Sequence, residues 1–293
     1  MAQTLKFGNK VWAAKEESVL AYNDINNNYK PLPFDFARAS IGTRVNKDGL
    51  IETMGQDIAR IDYTDSADGV LLLENSSTNL ITYSEDFSQW TALNNVVVTD
   101  NFTTSPDGTQ NAAKLVFDGT ADGRIELSAG VGGTTTQSVY LKTESGTQNV
   151  SIGAGSTDLT EFTITDQWVR YSHTGGGNFP RILCNDAATI YVYGAQLEQL
   201  SYPTSYIPTD GATSTRLQDI ANNSGNSDLI SSTEGVLYVE AKVKTDSNSS
   251  INSIGISNGT DSNRLSIIMY GNSDPSSQYG NDLYRQATFG VAS

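Results

Sequence analysis

The chain has 293 residues, 37% of them hydrophobic and 17% charged, with 18 Lys and Arg against 33 Asp and Glu for a formal charge of −15. A surface this acidic lacks the basic footprint that nucleic-acid phosphates require, so no nucleic-acid partner is expected, although a neutral glycan stays compatible with it. With one Cys (Cys184) and one His (His173), an intrachain disulfide is excluded and so is a Cys/His zinc cluster.

The composition, rich in Gly, Ser, Thr and Asn, predicts an all-β chain of short strands and long loops. The length suggests about two domains. The opening MAQTLKFGNKVWAAKEESV has no uninterrupted apolar signal core, and no apolar run approaches the roughly 20 residues that span a bilayer; membrane insertion is not expected. Residues 1–33 read as a short helix and an extended arm. Trp12, Val19, Leu20 and Tyr22 are docking groups, the Asn26–Asn28 run favours a turn, and Pro31 and Pro33 punctuate the exit. Such an arm either attaches to another chain or packs on its own body.

Residues 34–79 read as short extended pieces. Asp48-Gly49 is a hairpin signal, Val70 to Leu73 a buried strand, and Phe34, Phe36, Ile41 and Val45 cover for a neighbouring sheet. Arg38, Arg44 and Arg60 are assigned to backbone carbonyls or paired acids.

Residues 80–208 read as a central jelly-roll-like β-sandwich. Strands are predicted at 112–117, 124–129, 137–143, 150–154, 159–165, 168–174, 181–184 and 189–198. In QSVYLKT, Val139 and Leu141 face one way and Tyr140 and Lys142 the other; in TIYVYGAQLE, Ile190 and Val192 oppose Tyr191 and Tyr193. Gly194 marks a bulge or relieves crowding. Two packed sheets bury both apolar faces. After Leu200 two prolines stop the strand, and Tyr202, Tyr206 and Ile207 read as a clasp across the domain edge. Residues 209–232 read as a linker. Residues 233–293 read as a second, smaller C-terminal β unit, with strands in 233–245, 250–257, 264–271 and near ATFGV.

Catalytic patterns are weak. His173 sits at a strand end, Cys184 alternates with Ile182 as a small core group, and AGVGGTT lacks the Lys of a phosphate loop. The strand-borne carboxylates Glu126, Glu161, Glu198 and Glu240 form no spaced pair of the kind glycoside hydrolysis needs. Acidic loops such as FDGTADG and YTDSADG supply oxygens that suit calcium, yet none has the full calcium-loop spacing, so no cofactor or metal is expected. Binding is better supplied. Aromatic faces can receive the C–H face of a sugar, and Trp90, Trp168, Tyr171, Tyr191 and Tyr193 are the candidate ligand-binding residues, each with core or edge packing as its alternative role; Tyr140 belongs to the same set.

At residues 79–116 the chain resembles a module common in tailed-bacteriophage tail and fibre proteins. The likeness is carried by Asn79, Leu80, Ile81, Ser84, Phe87 and Trp90, by the turn Pro106-Asp107-Gly108, and by a closing pattern of Gly194, Ala195, Gln196, Leu197, Glu198, Thr204, Ser205, Tyr206, Ile207 and Pro208. Arg38, Ala39, Ser40, Asp48, Gly49 and Leu50 resemble the arm that precedes such modules, TRLQD at 215–219 resembles their exit, and TEGVLYVEAKV resembles the first strand of a concanavalin-like lectin domain. The resemblance implies a carbohydrate-binding-like sandwich in a noncatalytic virion fibre or accessory protein, assembled in the bacterial host cytoplasm. It would be mounted on other virion proteins by the N-terminal arm, trimeric, and presented to host polysaccharide. A purely architectural head, tail or baseplate component, or a glycan-cleaving tail enzyme, are the alternatives.

Overall fold

The computed structural model describes residues 35–67 and 69–222 with their side chains, and the backbone of strands at 12–15, 18–23, 28–31, 251–257, 264–270 and 284–289. The chain divides into Met1–Ser232 and Thr233–Ser293. It is all-β, and among the described residues the one helical turn is the 3-10 turn Phe87–Gln89.

The first described strands, β1 (Trp12–Lys15), β2 (Ser18–Asn23) and β3 (Asn28–Pro31), form an antiparallel sheet where the sequence suggested a short helix. The docking roles given to Trp12, Val19, Leu20 and Tyr22 lie outside the described side chains. Six short strands follow: β4 (Asp35–Ala37), β5 (Gly42–Val45), β6 (Ile51–Met54), β7 (Arg60–Asp62), β8 (Val70–Leu72) and β9 (Ser77–Asn79). β5 pairs β6 across the Asp48-Gly49 turn, where Gly49 has φ +80°, and β7 pairs β8. Phe36 packs with Ile61 and Leu71 as expected. Val70 and Leu73, read as buried, are 43% and 49% exposed, and Ile41 is 50% exposed.

The sandwich is built from β10 (Thr91–Leu93), β11 (Val97–Thr103), β12 (Ala112–Asp118), β13 (Gly123–Glu126), β14 (Thr134–Thr143), β15 (Thr147–Gly153), β16 (Thr160–Thr165), β17 (Val169–Gly176), β18 (Arg181–Cys184) and β19 (Ala187–Glu198). One sheet has the order β10-β13-β18-β15-β16, the other β11-β12-β19-β14-β17, and all pairs are antiparallel. β10 and β11 have no counterpart among the predicted strands. Val139, Leu141, Ile190 and Val192 are fully buried between the sheets with Leu115, Ile125, Ile152, Ile164 and Ile182. Each such side chain contributes about 1.5–3 kcal/mol of burial. Cys184 joins this core, its thiol pushed upward by burial.

Between Tyr193 and Gln196, β19 has one residue more than β14 has between Tyr140 and Ser138. The extra residue is a bulge at Gly194, with φ +63°. The slip changes which parity faces inward. Ile190 and Val192 point into the core before it, Ala195 and Leu197 after it.

Within residues 209–232, expected to be linker, Ser214–Arg216 and Ile220–Asn222 are strand-paired instead. β20 (Ser214–Arg216) pairs β9, and β21 (Ile220–Asn222) pairs β4. In the second unit, β22 (Ile251–Ser257), β23 (Arg264–Tyr270) and β24 (Tyr284–Phe289) form an antiparallel sheet at the predicted places. The strand expected in 233–245 lies outside the described residues.

Candidate functional site

The signature residues of the sandwich are structural. Asn79 is fully buried. Its Nδ2 donates to the carbonyls of Ala195 (3.1 Å) and Ile207 (2.9 Å), and its Oδ1 accepts from the N–H of Ile81 and of Leu197, both at 3.1 Å. Glu198, also fully buried, accepts from Ser77 Oγ (2.6 Å), Thr204 Oγ1 (2.5 Å) and Thr204 N–H (2.9 Å). Gln196 accepts from Ile207 N–H at 2.7 Å. Tyr206 and Ile207 are 3% and 4% exposed. The clasp after β19 therefore closes the sandwich, and its polar groups satisfy backbone that leaves the sheet.

The flanking motifs meet in a buried ion cluster. Asp219 bridges Arg38 (3.0 Å) and Arg60 (2.5 Å), and Glu74 bridges Arg60 (2.9 Å) and Arg216 (3.5 Å). Arg38 also donates to the carbonyls of Ser40, Gly55 and Ile58. Burial pushes the Glu74 carboxyl upward, but Arg216, Arg60 and the Ser205 hydrogen bonds outweigh it and hold the carboxyl below its usual range. This cluster ties the incoming arm to the outgoing strand pair.

The five aromatic candidates fall into three environments. Trp90 is 4% exposed, tilted against Phe87 at 5.3 Å, and donates its indole N–H to the Tyr83 carbonyl at 3.0 Å. Tyr193 is 2% exposed, and its hydroxyl reaches Glu85 (3.2 Å) and Asp107 (3.1 Å). Tyr171 packs against the core and Phe162 at 5.1 Å. Trp90 and Tyr193 are packing groups in this structure, while Tyr171 is half-buried and packs one side against the core. For Tyr193 the period-two position did not tell which face another segment would cover.

Trp168, half-buried, and Tyr191, only 8% exposed and largely covered by its neighbours, lie on the outer face of the second sheet. Lys114 and Lys142 are the cross-strand partners of Tyr191 on either side. The Lys142 ammonium lies 5.1 Å from the Trp168 ring and 5.4 Å from the Tyr191 ring. On the other side Phe102 stacks on Tyr191 at 5.9 Å and 13°, with the Lys114 ammonium 3.8 Å from the Phe102 ring. Trp168 is half-buried and anchored by its indole N–H to the Thr104 carbonyl at 3.1 Å. The stripe runs Phe102, Lys114, Tyr191, Lys142, Trp168 across the sheet. Phe102, 42% exposed, was not singled out in the sequence. It reaches Tyr191 because β11 shifts register between Thr99 and Thr103, with Asn101 at φ +53°. The Asn-Phe pair before TTSPDG gives no warning of that turn.

A separate cleft of about 510 Å³ lies at the far end of β17, lined by Glu126, Asp158, Asn178, Phe179 and Arg181 among others. Its charges are used internally: Glu126 pairs with Arg124 (2.9 Å) and Arg181 (3.1 Å), and Asp158 accepts the Gly176 N–H at 2.7 Å. His173 lies at this end too, its Nδ1 2.8 Å from Thr160 Oγ1. Among the described residues no three His, Cys, Asp or Glu side chains group as a metal site.

No family model matches the chain, and no curated protein does. Solved structures with a partial likeness include the CBM22-1–GH10 modules of the Clostridium thermocellum xylanase Xyn10B complexed with xylohexaose, at 13% identity and TM-score 0.31. That match covers 41% of this chain and 28% of the other. The apo CBM1 of BiXyn10A matches at 13% identity and TM-score 0.29, over 43% of this chain and 96% of that one. At these TM-scores the likeness carries nothing about ligand or activity.

Proposed function

We propose that the chain is a noncatalytic bacteriophage virion fibre or accessory protein whose sandwich attaches to host-surface glycan through the Phe102–Tyr191–Trp168 face. The observation that carries this reading is the aromatic stripe itself, with Phe102 on β11, Tyr191 on β19 and Trp168 just before β17, its exposed surface supplied by Phe102 and Trp168. Rings fixed on a sheet lose little further freedom on binding, so a flat face of this kind can hold sugar rings at low entropic cost. Several copies on one particle convert a weak contact into firm attachment when geometry permits simultaneous engagement. The phage assignment rests on the sequence signature, with residues 1–33 as the mount on other virion proteins and a trimer as the assembly.

The test is a host-glycan array probed with the full chain and with Phe102→Ala and Trp168→Ala. Saturable binding lost in both folded variants supports attachment; binding by neither the parent nor any variant across host surfaces favours an architectural role. Immunogold labelling of purified virions tests the location, and sedimentation equilibrium tests the trimer.

A further inference from the structure

We infer that the glycan taken by this face is anionic, a polysaccharide bearing carboxylate or another acidic group on its sugar rings, held by Lys114 and Lys142. This inference rests on the attachment reading above and narrows it to a ligand class.

The chain as a whole argues the other way, with 33 acidic residues against 18 basic ones. That makes the distribution of cations informative. Lys47, Lys114 and Lys142 are the lysines between residues 35 and 222. Two of them flank the same tyrosine on the same face of one sheet. The arginines of this region are committed elsewhere. Arg38, Arg60 and Arg216 share Asp219 and Glu74; Arg44 pairs with Glu52; Arg124 and Arg181 pair with Glu126; and Arg170 donates to Thr204 O and Ser138 Oγ. Among the described residues Lys114 and Lys142 make no ion pair; the Lys114 ammonium lies over the Phe102 ring and the Lys142 ammonium near the Trp168 and Tyr191 rings. An ammonium on a ring keeps N–H donors for an incoming acceptor, and the ring holds the flexible stem in place.

The carboxylate found at the stripe is Glu144, which accepts from the Tyr191 hydroxyl at 3.3 Å at the rim. Asp100 and Asp166 lie two residues along the chain from Phe102 and Trp168. At physiological ionic strength the screening length is about 8 Å, so an acidic group seated on the stripe feels the two adjacent lysines more than charges beyond that distance. At low salt the net repulsion returns. Two ammonium groups spaced along a line of rings match a linear chain carrying acidic groups at intervals; a single neutral sugar would use neither.

The test titrates the full chain by calorimetry with hexagalacturonate, with its carboxyl-reduced neutral counterpart, and with sulfated maltohexaose. Binding of either acidic probe at least about tenfold tighter than the neutral one is expected, the size of one charge-assisted contact. Lys114→Gln and Lys142→Gln should each weaken the acidic probe about tenfold and the neutral probe less than about twofold, while Lys142→Arg retains binding. Unchanged circular dichroism confirms that the glutamine variants are folded. Equal binding of acidic and neutral probes overturns the anionic class and leaves glycan attachment standing. Tight acidic binding that survives both Lys→Gln changes overturns this site. Binding of none of the three, when a neutral host glycan binds on the array, also overturns the inference; binding of no glycan anywhere overturns the attachment reading itself.

Discussion

Asn79→Ala removes one side chain that ties three segments: the end of β9, the stretch of β19 after its bulge, and the clasp. Four hydrogen bonds of 2.9–3.1 Å are lost, and Ala195, Ile207, Ile81 and Leu197, which supply the partners, are all buried. Each internal hydrogen bond contributes about 0.5–1.5 kcal/mol net, and a buried group left unpaired costs about 1–3 kcal/mol. Part of that is recovered where water enters, so the expected loss is about 3–6 kcal/mol. This approaches the whole stability of an ordinary domain, about 5–15 kcal/mol. The assay is urea unfolding followed by tryptophan fluorescence, since Trp90 lies in the sandwich core. The midpoint should fall with the slope unchanged. Asn79→Asp keeps the oxygen that accepts both N–H groups, loses both donors and introduces a buried carboxylate, so it should be less stable at pH 8 than at pH 5. A loss below about 1 kcal/mol in Asn79→Ala at constant slope would show that its partners are satisfied without it and would refute the closure role.

Other expectations follow from the same contacts. Gly194→Ala places a Cβ at φ +63° and 3.3 Å from the Tyr140 and Tyr206 rings, and should cost about 1–3 kcal/mol in the same unfolding assay. Asp219→Asn removes the charge shared by Arg38 and Arg60 and should cost about 3–5 kcal/mol, whereas Arg44→Ala, at the partly exposed Arg44–Glu52 pair, should cost under about 1 kcal/mol; comparable losses at the two sites would refute the assignment of the buried cluster. Glu74 has a folded pKa below its unfolded one, so its stabilisation is present above the unfolded value and is lost as pH falls through the folded value. Glu74→Gln should therefore be less stable than the parent at neutral pH and converge on it in acid, and a gap constant from pH 7 to 3 would contradict this.

Period-two alternation in residues 137–143 and 189–193 was enough to divide core from outer face, because side-chain direction in a strand is a local property. Turn residues likewise marked Asp48-Gly49 and the end of β19. The fate of an outward-facing ring was not local. Tyr191 and Tyr193 alternate identically in sequence, yet Tyr193 is covered with Ile51 and Tyr206 while Tyr191 meets two lysines and Phe102. Long-range register decided the rest: which arginines share Asp219, why 214–216 and 220–222 are strand and not linker, and how Phe102 comes to lie on β19. Sequence spacing carries direction along a strand, but which strand lies beside it, and what folds over its outer face, is set by packing between residues far apart in the chain.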